Sequence, residues 1–286
     1  PITDASGQTI LDDVDYSALG RLDIVKGPSS SLYGGGIGGT VNLWTARPAR
    51  GERGVSQQLA GGSDGLFRTN TTYGASNEHS DVLLTYGHQT YDSFRPNSRS
   101  KKDYARFLGD FRVGDAQTVT TFFSYANSYE QLAGEIDSTD FYNERAIDNP
   151  VYLANKSRIS IESQRAGFTH SVQASPSVLL RSTLFTATQT MSQPFAHGFN
   201  DYNRFSFGAR TAAETKGRVN GVEVRGSTGA QFQRTNYTVN GFFLPSSRPS
   251  DQENYAMNYF TFSEWNASLP MDVTLSLGGA LAWNEF

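Results

Sequence analysis

From about residue 55 onward, apolar and polar residues alternate with a period of two, in segments roughly ten residues long separated by turn residues, and helical periodicity is almost absent. Successive side chains on a strand point to opposite faces, so each segment has one greasy face and one polar or small one. Ala105, Phe107, Gly109, Phe111 and Val113 alternate with Arg106, Leu108, Asp110 and Arg112. Val222, Val224, Gly226, Thr228, Ala230 and Phe232 oppose Glu223, Arg225, Ser227, Gln231 and Gln233. The last segment sets Val273, Leu275, Leu277, Gly279, Leu281 and Trp283 against Thr274, Ser276, Gly278, Ala280 and Ala282. A chain patterned this way folds into antiparallel sheet.

The pattern predicts eleven strands, at 55–62, 67–75, 81–90, 103–113, 118–128, 163–174, 178–190, 204–215, 221–235, 255–268 and 272–283. After a tight first connection, short turns at 76–80, 114–117, 175–177, 216–220 and 269–271 interleave with long connections at 91–102, 129–162, 191–203 and 236–254. A soluble sandwich has no reason to alternate short with long, and its strands centre near ~5–6 residues. An outer-membrane barrel has short periplasmic turns, long extracellular loops and a polar lumen behind its apolar outer face. The fold class expected is therefore all-β, a transmembrane antiparallel β-barrel.

Composition agrees with this reading and removes several others. No run of 18 apolar residues exists, which excludes a membrane-spanning helix but not a barrel. The 14 Tyr, 19 Phe and 3 Trp, beside 28 Gly, suit a sheet with a lipid-facing or carbohydrate-facing surface. Without Cys there is no disulfide and no thiol chemistry. A net charge of −4 gives no basic field for nucleic acid. His79, His88, His170 and His197 are scattered without ligand spacing, and Asp12, Asp13 and Asp15 lack the Gly and distal Glu of a calcium loop, so neither a metal centre nor a cofactor is expected. The chain starts at Pro1 and stops at Phe286 inside a strand pattern, and reads as a fragment.

The first fifty residues do not share the alternation. Arg21–Val25 reads as a strand, a glycine-rich turn reverses the chain, and Thr40–Thr45 reads as a second strand. Gly34, Gly36 and Gly39 satisfy G-x-G-x-x-G in form. A dinucleotide fingerprint needs those glycines to open a helix, whereas the β-branched run after Gly39 is a strand, and Thr40 stands where a P-loop needs Lys.

The order Arg21-Leu-Asp-Ile-Val-Lys-Gly-Pro-Ser-Ser-Ser-Leu-Tyr-Gly, then Gly38-Gly39-Thr-Val-Asn-Leu and Arg47-Pro48, resembles the closing portion of the plug domain of TonB-dependent outer-membrane receptors. The resemblance implies residues 1–50 as the C-terminal portion of the plug and 51–286 as the first half of the barrel, about eleven of 22 strands. It implies an energy-coupled receptor, without covalent chemistry, that imports a ferric siderophore or similar ferric complex into a bacterium across its outer membrane. Its implied partners are that complex, TonB and its inner-membrane energy complex through a segment absent here, and outer-membrane lipid and lipopolysaccharide. Cobalamin or a carbohydrate are alternative cargoes. A passive porin and a soluble carbohydrate-binding β protein are alternatives of other classes.

Within that resemblance, Arg21, Gly27, Pro28, Tyr33, Gly34, Gly38, Gly39 and Asn42 are the residues that shape the plug. Arg21 is expected to face barrel carboxylates lying beyond Phe286. The candidate ligand contacts are Arg95 and Arg99, in a basic connection that suits an anionic complex, and Tyr129, Tyr142, Tyr152 and Phe199, whose rings suit stacking on aryl groups. The segment 129–162 loosely resembles a loop of ferric-dicitrate-type receptors.

Overall fold

The computed structural model describes residues 7, 9, 11, 14–26, 32, 39–143, 146–243, 250–271 and 273–286. A 3-10 turn at Tyr16–Ala18 leads into β1 (Leu19–Lys26), which pairs antiparallel with β2 (Gly39–Thr45). This two-stranded sheet stands apart from a second sheet of eleven strands. Its strands are β3 (Arg53–Gly61), β4 (Phe67–Ser76), β5 (Ser80–Tyr91), β6 (Ser100–Val113), β7 (Gln117–Gln131), β8 (Arg158–Ser175), β9 (Val178–Phe195), β10 (Gly198–Val219), β11 (Val222–Phe243), β12 (Ser250–Leu269) and β13 (Val273–Glu285). Short helices α1 (Ser138–Asn143) and α2 (Pro150–Ala154) interrupt the connection between β7 and β8. No helix among the described residues is long and apolar enough to cross a membrane.

Each strand of the large sheet pairs only with its sequence neighbours, so the sheet is a continuous antiparallel meander that is open between β3 and β13. Register fixes its two faces. Tyr73, Leu84, Phe107, Phe123 and Ala166 lie opposite one another across β4 to β8, and the adjacent row on the other face is Thr72, Thr85, Arg106, Ser124 and Arg165. The apolar rows stay exposed, from Leu59 and Leu84 through Leu184 to Leu277 and Leu281. Such a band is far too extensive for a water-facing surface and fits contact with lipid. On β6 and β10 the polar rows meet Asp15, Leu32 and Arg47 of the first segment.

The eleven expected strands are all present, but most run further than the alternation predicts. Residues 191–203, expected as a long connection, form a hairpin whose strands continue to Phe195 and resume at Gly198, with Phe199 opposite Pro194. Pro194 lies past Ser192↔Ser160, the last pair with β8, so only one neighbour requires hydrogen bonds there. Likewise β11 and β12 take up most of 236–254, and the remainder, 244–249, lies outside the described residues. The turn expected at 216–220 closes later, at Asn220-Gly221. Positive φ angles of 52° and 86° there give the primed turn that matches strand twist.

Candidate functional site

The first segment meets the polar face of the sheet at named contacts. Arg47 Nε donates to Asp110 Oδ2 at 2.6 Å, and Thr120 Oγ1 donates to the other oxygen of the same carboxylate at 2.5 Å. Two strand repeats earlier in β6, the buried Arg106 donates from Nη2 to the Asp15 carbonyl at 3.2 Å. Around the wall on β10, Arg210 donates to the Leu32 carbonyl at 2.8 Å and to Gln231 Oε1 at 3.1 Å, with its guanidinium 4.3 Å from the Phe262 ring centre. The side chains on the sheet are positioned by strict alternation: positions 106 and 110 share one face of β6 because they are an even number of residues apart.

Gly27, Pro28, Tyr33, Gly34 and Gly38, expected to shape this unit, lie outside the described residues. Gly39 has φ +135°, and a Cβ built there would approach the Val25 carbonyl oxygen at 2.3 Å, so the entry into β2 has room only for glycine. Asn42 pairs with Asp23 in the β1–β2 ladder. Arg21 is largely exposed. Its partners among the described residues are local: Asp23 at 2.7 Å and the Trp44 ring at 5.0 Å, with Trp44 Nε1 also donating to Asp23 at 2.8 Å.

At the other end of the strands, the β5–β6 and β7–β8 connections are clasped together. Arg95 donates to the Ile147 carbonyl at 2.7 Å and the Ala133 carbonyl at 2.9 Å, and lies 3.7 Å from Asp148. The buried Asp148 carboxylate accepts the Asn97 backbone N–H at 2.7 Å, while the Asn97 side chain donates to the carbonyls of Leu132 and Ser157 at 2.8 and 3.1 Å. Asn155 ties the same assembly to the β9–β10 hairpin through the Ala196 carbonyl, 2.7 Å away. Asn149 caps α2, its side chain accepting from the Val151 N–H at 3.0 Å.

The expected ligand contacts therefore fall in different places. Arg95 is occupied as the clasp of two connections. Arg99 is exposed and pairs with Asp92 at 2.9 Å. Tyr142 on α1 is 82% exposed and meets Phe141 edge to face at 5.4 Å, which leaves its ring open to a partner. Tyr152 on α2 is half-buried. Burial, and then the Glu135 carboxylate as a charge and as a hydrogen-bond partner, raise its phenol above the ordinary range. Tyr129 shares a face of β7 with Phe123 and Tyr125, opposite Lys101 and Ser160, and is thus on the apolar side of the wall. Phe199 lies on the same side of β10 as Phe205 and Phe207 and stacks on Phe242 at 6.4 Å. Alternation counted one strand further would have placed both. Arg106 and Asp110 were legible only as polar members of an alternating strand, because their partners are far away in sequence.

An antiparallel meander of this length, apolar outside and polar inside, with Asp15, Leu32 and Arg47 of the first segment hydrogen-bonded to its polar face, defines part of a transmembrane β-barrel. The solved structures carry the likeness further. The copper transporter OprC superposes with a TM-score of 0.74 at 17% identity, covering 98% of this chain and 45% of its own. The ferripyoverdine receptor of the outer membrane of Pseudomonas aeruginosa, bound to ferripyoverdine, gives 0.77 at 14% identity over 94% of this chain and 42% of its own. The ferric citrate transporter FecA in its unliganded form gives 0.70 at 13% identity over 94% and 47%. The chain thus has the fold of TonB-dependent outer-membrane receptors and spans a little under half the length of these three. No family model and no curated protein matches the sequence.

Proposed function

We propose that this chain is the central part of a TonB-dependent receptor in a bacterial outer membrane, with residues 1–50 as the end of the plug and 51–286 as the first half of the barrel. The cargo is a ferric siderophore or a similar ferric complex, moved without covalent chemistry. The observation that carries the reading is the seat of the first segment on the polar face of the sheet, through Arg47–Asp110 and Arg106–Asp15. A passive pore has no use for a folded unit hydrogen-bonded across its lumen, whereas a gated transporter needs one that is held by bonds able to break. The polar contacts suit that need, because each is a discrete charge-assisted bond rather than a continuous apolar core.

In this reading the exposed aromatic Tyr142 and the basic Arg99 meet cargo from the outer side, and TonB acts through a segment preceding this one. The test is iron-limited growth of a strain expressing the complete receptor, on a panel of ferric complexes, beside a deletion strain and protonophore-treated cells. Uptake that requires both the receptor and the proton gradient is expected. Growth independent of the receptor on every ferric complex overturns iron as the cargo, and uptake indifferent to the gradient overturns energy coupling.

A further inference from the structure

Two carboxylates stand directly opposite each other on the inner face of the wall. Asp81 on β5 and Asp110 on β6 are register partners, in a row that runs Ser76, Asp81, Asp110, Thr120. Like charges in opposed positions repel, and these side chains are only 16% and 13% exposed, so water screens them poorly. Each has its own arginine. Arg47 of the first segment holds Asp110, whereas Asp81 is held by Arg112 Nη2 and by the Ser76 hydroxyl at 2.5 Å. The two arginines differ in what carries them. Arg47 belongs to the segment proposed to move, while Arg112 is part of the sheet, its Nη1 bonded to the Asn77 and Glu78 carbonyls at 2.9 and 3.3 Å. Arg112 lies two residues from Asp110 on the same face of β6, roughly 7 Å along the strand, within the span of an arginine side chain. These bonds use Nη1 and Nη2 and leave its Nε–H over. Glu52, whose carbonyl accepts the Ser76 N–H at 2.8 Å, is an exposed third acid one strand further on, and Arg50 is exposed in the same connection.

We infer that Arg112 is the standby countercharge of Asp110: when the segment carrying Arg47 lifts away, the Arg112 guanidinium turns from Asp81 alone to span both carboxylates. This rests on the transport reading above and adds to it a residue that sets how easily the first segment leaves. If Arg112 stayed with Asp81 alone, each departure of Arg47 would strand Asp110 as an enclosed, unpaired charge, which is the costly way to break such a pair. A planar guanidinium with a spare N–H can serve two acceptors at once. Arg112 touches no cargo and makes no covalent bond. It is a positioning residue that acts through Asp110 on the seat of the first segment.

Amide hydrogen exchange of Leu19–Lys26 and Gly39–Thr45 in the purified complete receptor, without cargo or energy source, reads the opening of the seat. Arg112→Gln takes the compensation from the open state, so exchange there is expected to slow about fivefold. Arg112→Lys, which keeps a charge but not the fork, should slow it by less. In an Asp110→Asn background Arg112→Gln should have no effect, because no carboxylate is left to compensate. A residue that only staples the β4–β5 turn gives unchanged or faster exchange in Arg112→Gln, and either result overturns the inference, as does equal slowing in the Asp110→Asn background or by Arg112→Lys. If Arg112→Gln does not fold, Asp81→Asn decides. It frees Arg112 for Asp110 while Arg47 is still seated, so exchange is expected to quicken about threefold, and unchanged or slower exchange overturns the standby role. The readout needs no transport: its failure leaves gradient-dependent uptake untouched, and an absence of uptake leaves the coupling of Arg112 to Asp110 as measured.

Discussion

The Arg47 guanidinium reaches the Asp110 carboxylate at 2.6 Å across 63 residues of sequence, and Asp110 is far more enclosed than Arg47, 13% against 47% of the side chain exposed. That asymmetry decides which partner is costly to remove. Losing Arg47 leaves Asp110 with its Thr120 bond but without its countercharge inside the wall. Losing the Asp110 charge strands only a half-solvated Arg.

Arg47→Ala in the complete receptor is accordingly expected to destabilise the seat of β1 and β2 by about 1–3 kcal/mol, and Asp110→Asn by less. Hydrogen exchange of the amides in Leu19–Lys26 and Gly39–Thr45 reports it: faster exchange in Arg47→Ala than in Asp110→Asn. The reverse order, or no change in either, would remove Arg47 as the anchor.

The clasp between the β5–β6 and β7–β8 connections depends on a planar donor. Arg95 serves two carbonyls and Asp148 at once, which a single ammonium on a flexible stem cannot reproduce. Arg95→Ala takes the cation from the buried Asp148, a local cost of about 3 kcal/mol, and Arg95→Lys keeps a charge there but is expected to loosen the clasp too, because it loses the paired bonds to the two carbonyls. Limited trypsin digestion at Lys156 and Arg158 should accelerate in both variants. Protection retained by the lysine variant would argue against the fork geometry.

How much of this was readable beforehand follows from where the two faces of a strand differ. Between lipid and lumen they differ sharply, so Phe107, Phe123 and Leu277 marked their strands by period alone. Beyond the apolar band both faces are wet. The ladder continues through Thr190, Ser192 and Pro194, but the alternation loses its meaning, and a hairpin looks like a loop. Arg95 was visible as a basic residue in a connection, and Arg106 as the polar face of β6. Their partners, Ile147 and Asp15, are set by how distant segments meet, and no local periodicity encodes that.

Gly39 is the part of the glycine-rich turn whose geometry is described, and it leaves no space for a side chain. At φ +135°, with the Val25 carbonyl oxygen 2.3 Å from a built Cβ, alanine must shift the backbone of β1. Gly39→Ala is expected to cost more than about 1 kcal/mol and to weaken the Val25↔Thr40 and Lys26↔Gly39 pairs. Amide exchange at Val25 and Lys26 would reveal the loss. Wild-type exchange there would mean the turn tolerates alanine.

The raised Tyr152 phenol supplies a pH signature outside the membrane-spanning strands. Its causes, burial first and then Glu135 as charge and hydrogen-bond partner, all favour the protonated form in the folded state. In the unfolded chain a tyrosine ionises near pH ~10. Below that value both states hold the proton, so the contribution to stability is complete and independent of pH. Above it the unfolded chain loses its proton first, and stability falls as pH rises toward and through the higher folded value. The connection carrying α2 is therefore expected to loosen in alkaline solution above about pH 10, seen as faster cleavage by an alkali-tolerant protease between 132 and 157. Tyr152→Phe should flatten that rise, because phenylalanine has no proton to lose, and Glu135→Gln should reduce it by lowering the phenol back toward its ordinary range. An alkaline rise unchanged in Tyr152→Phe would assign the loosening to another group.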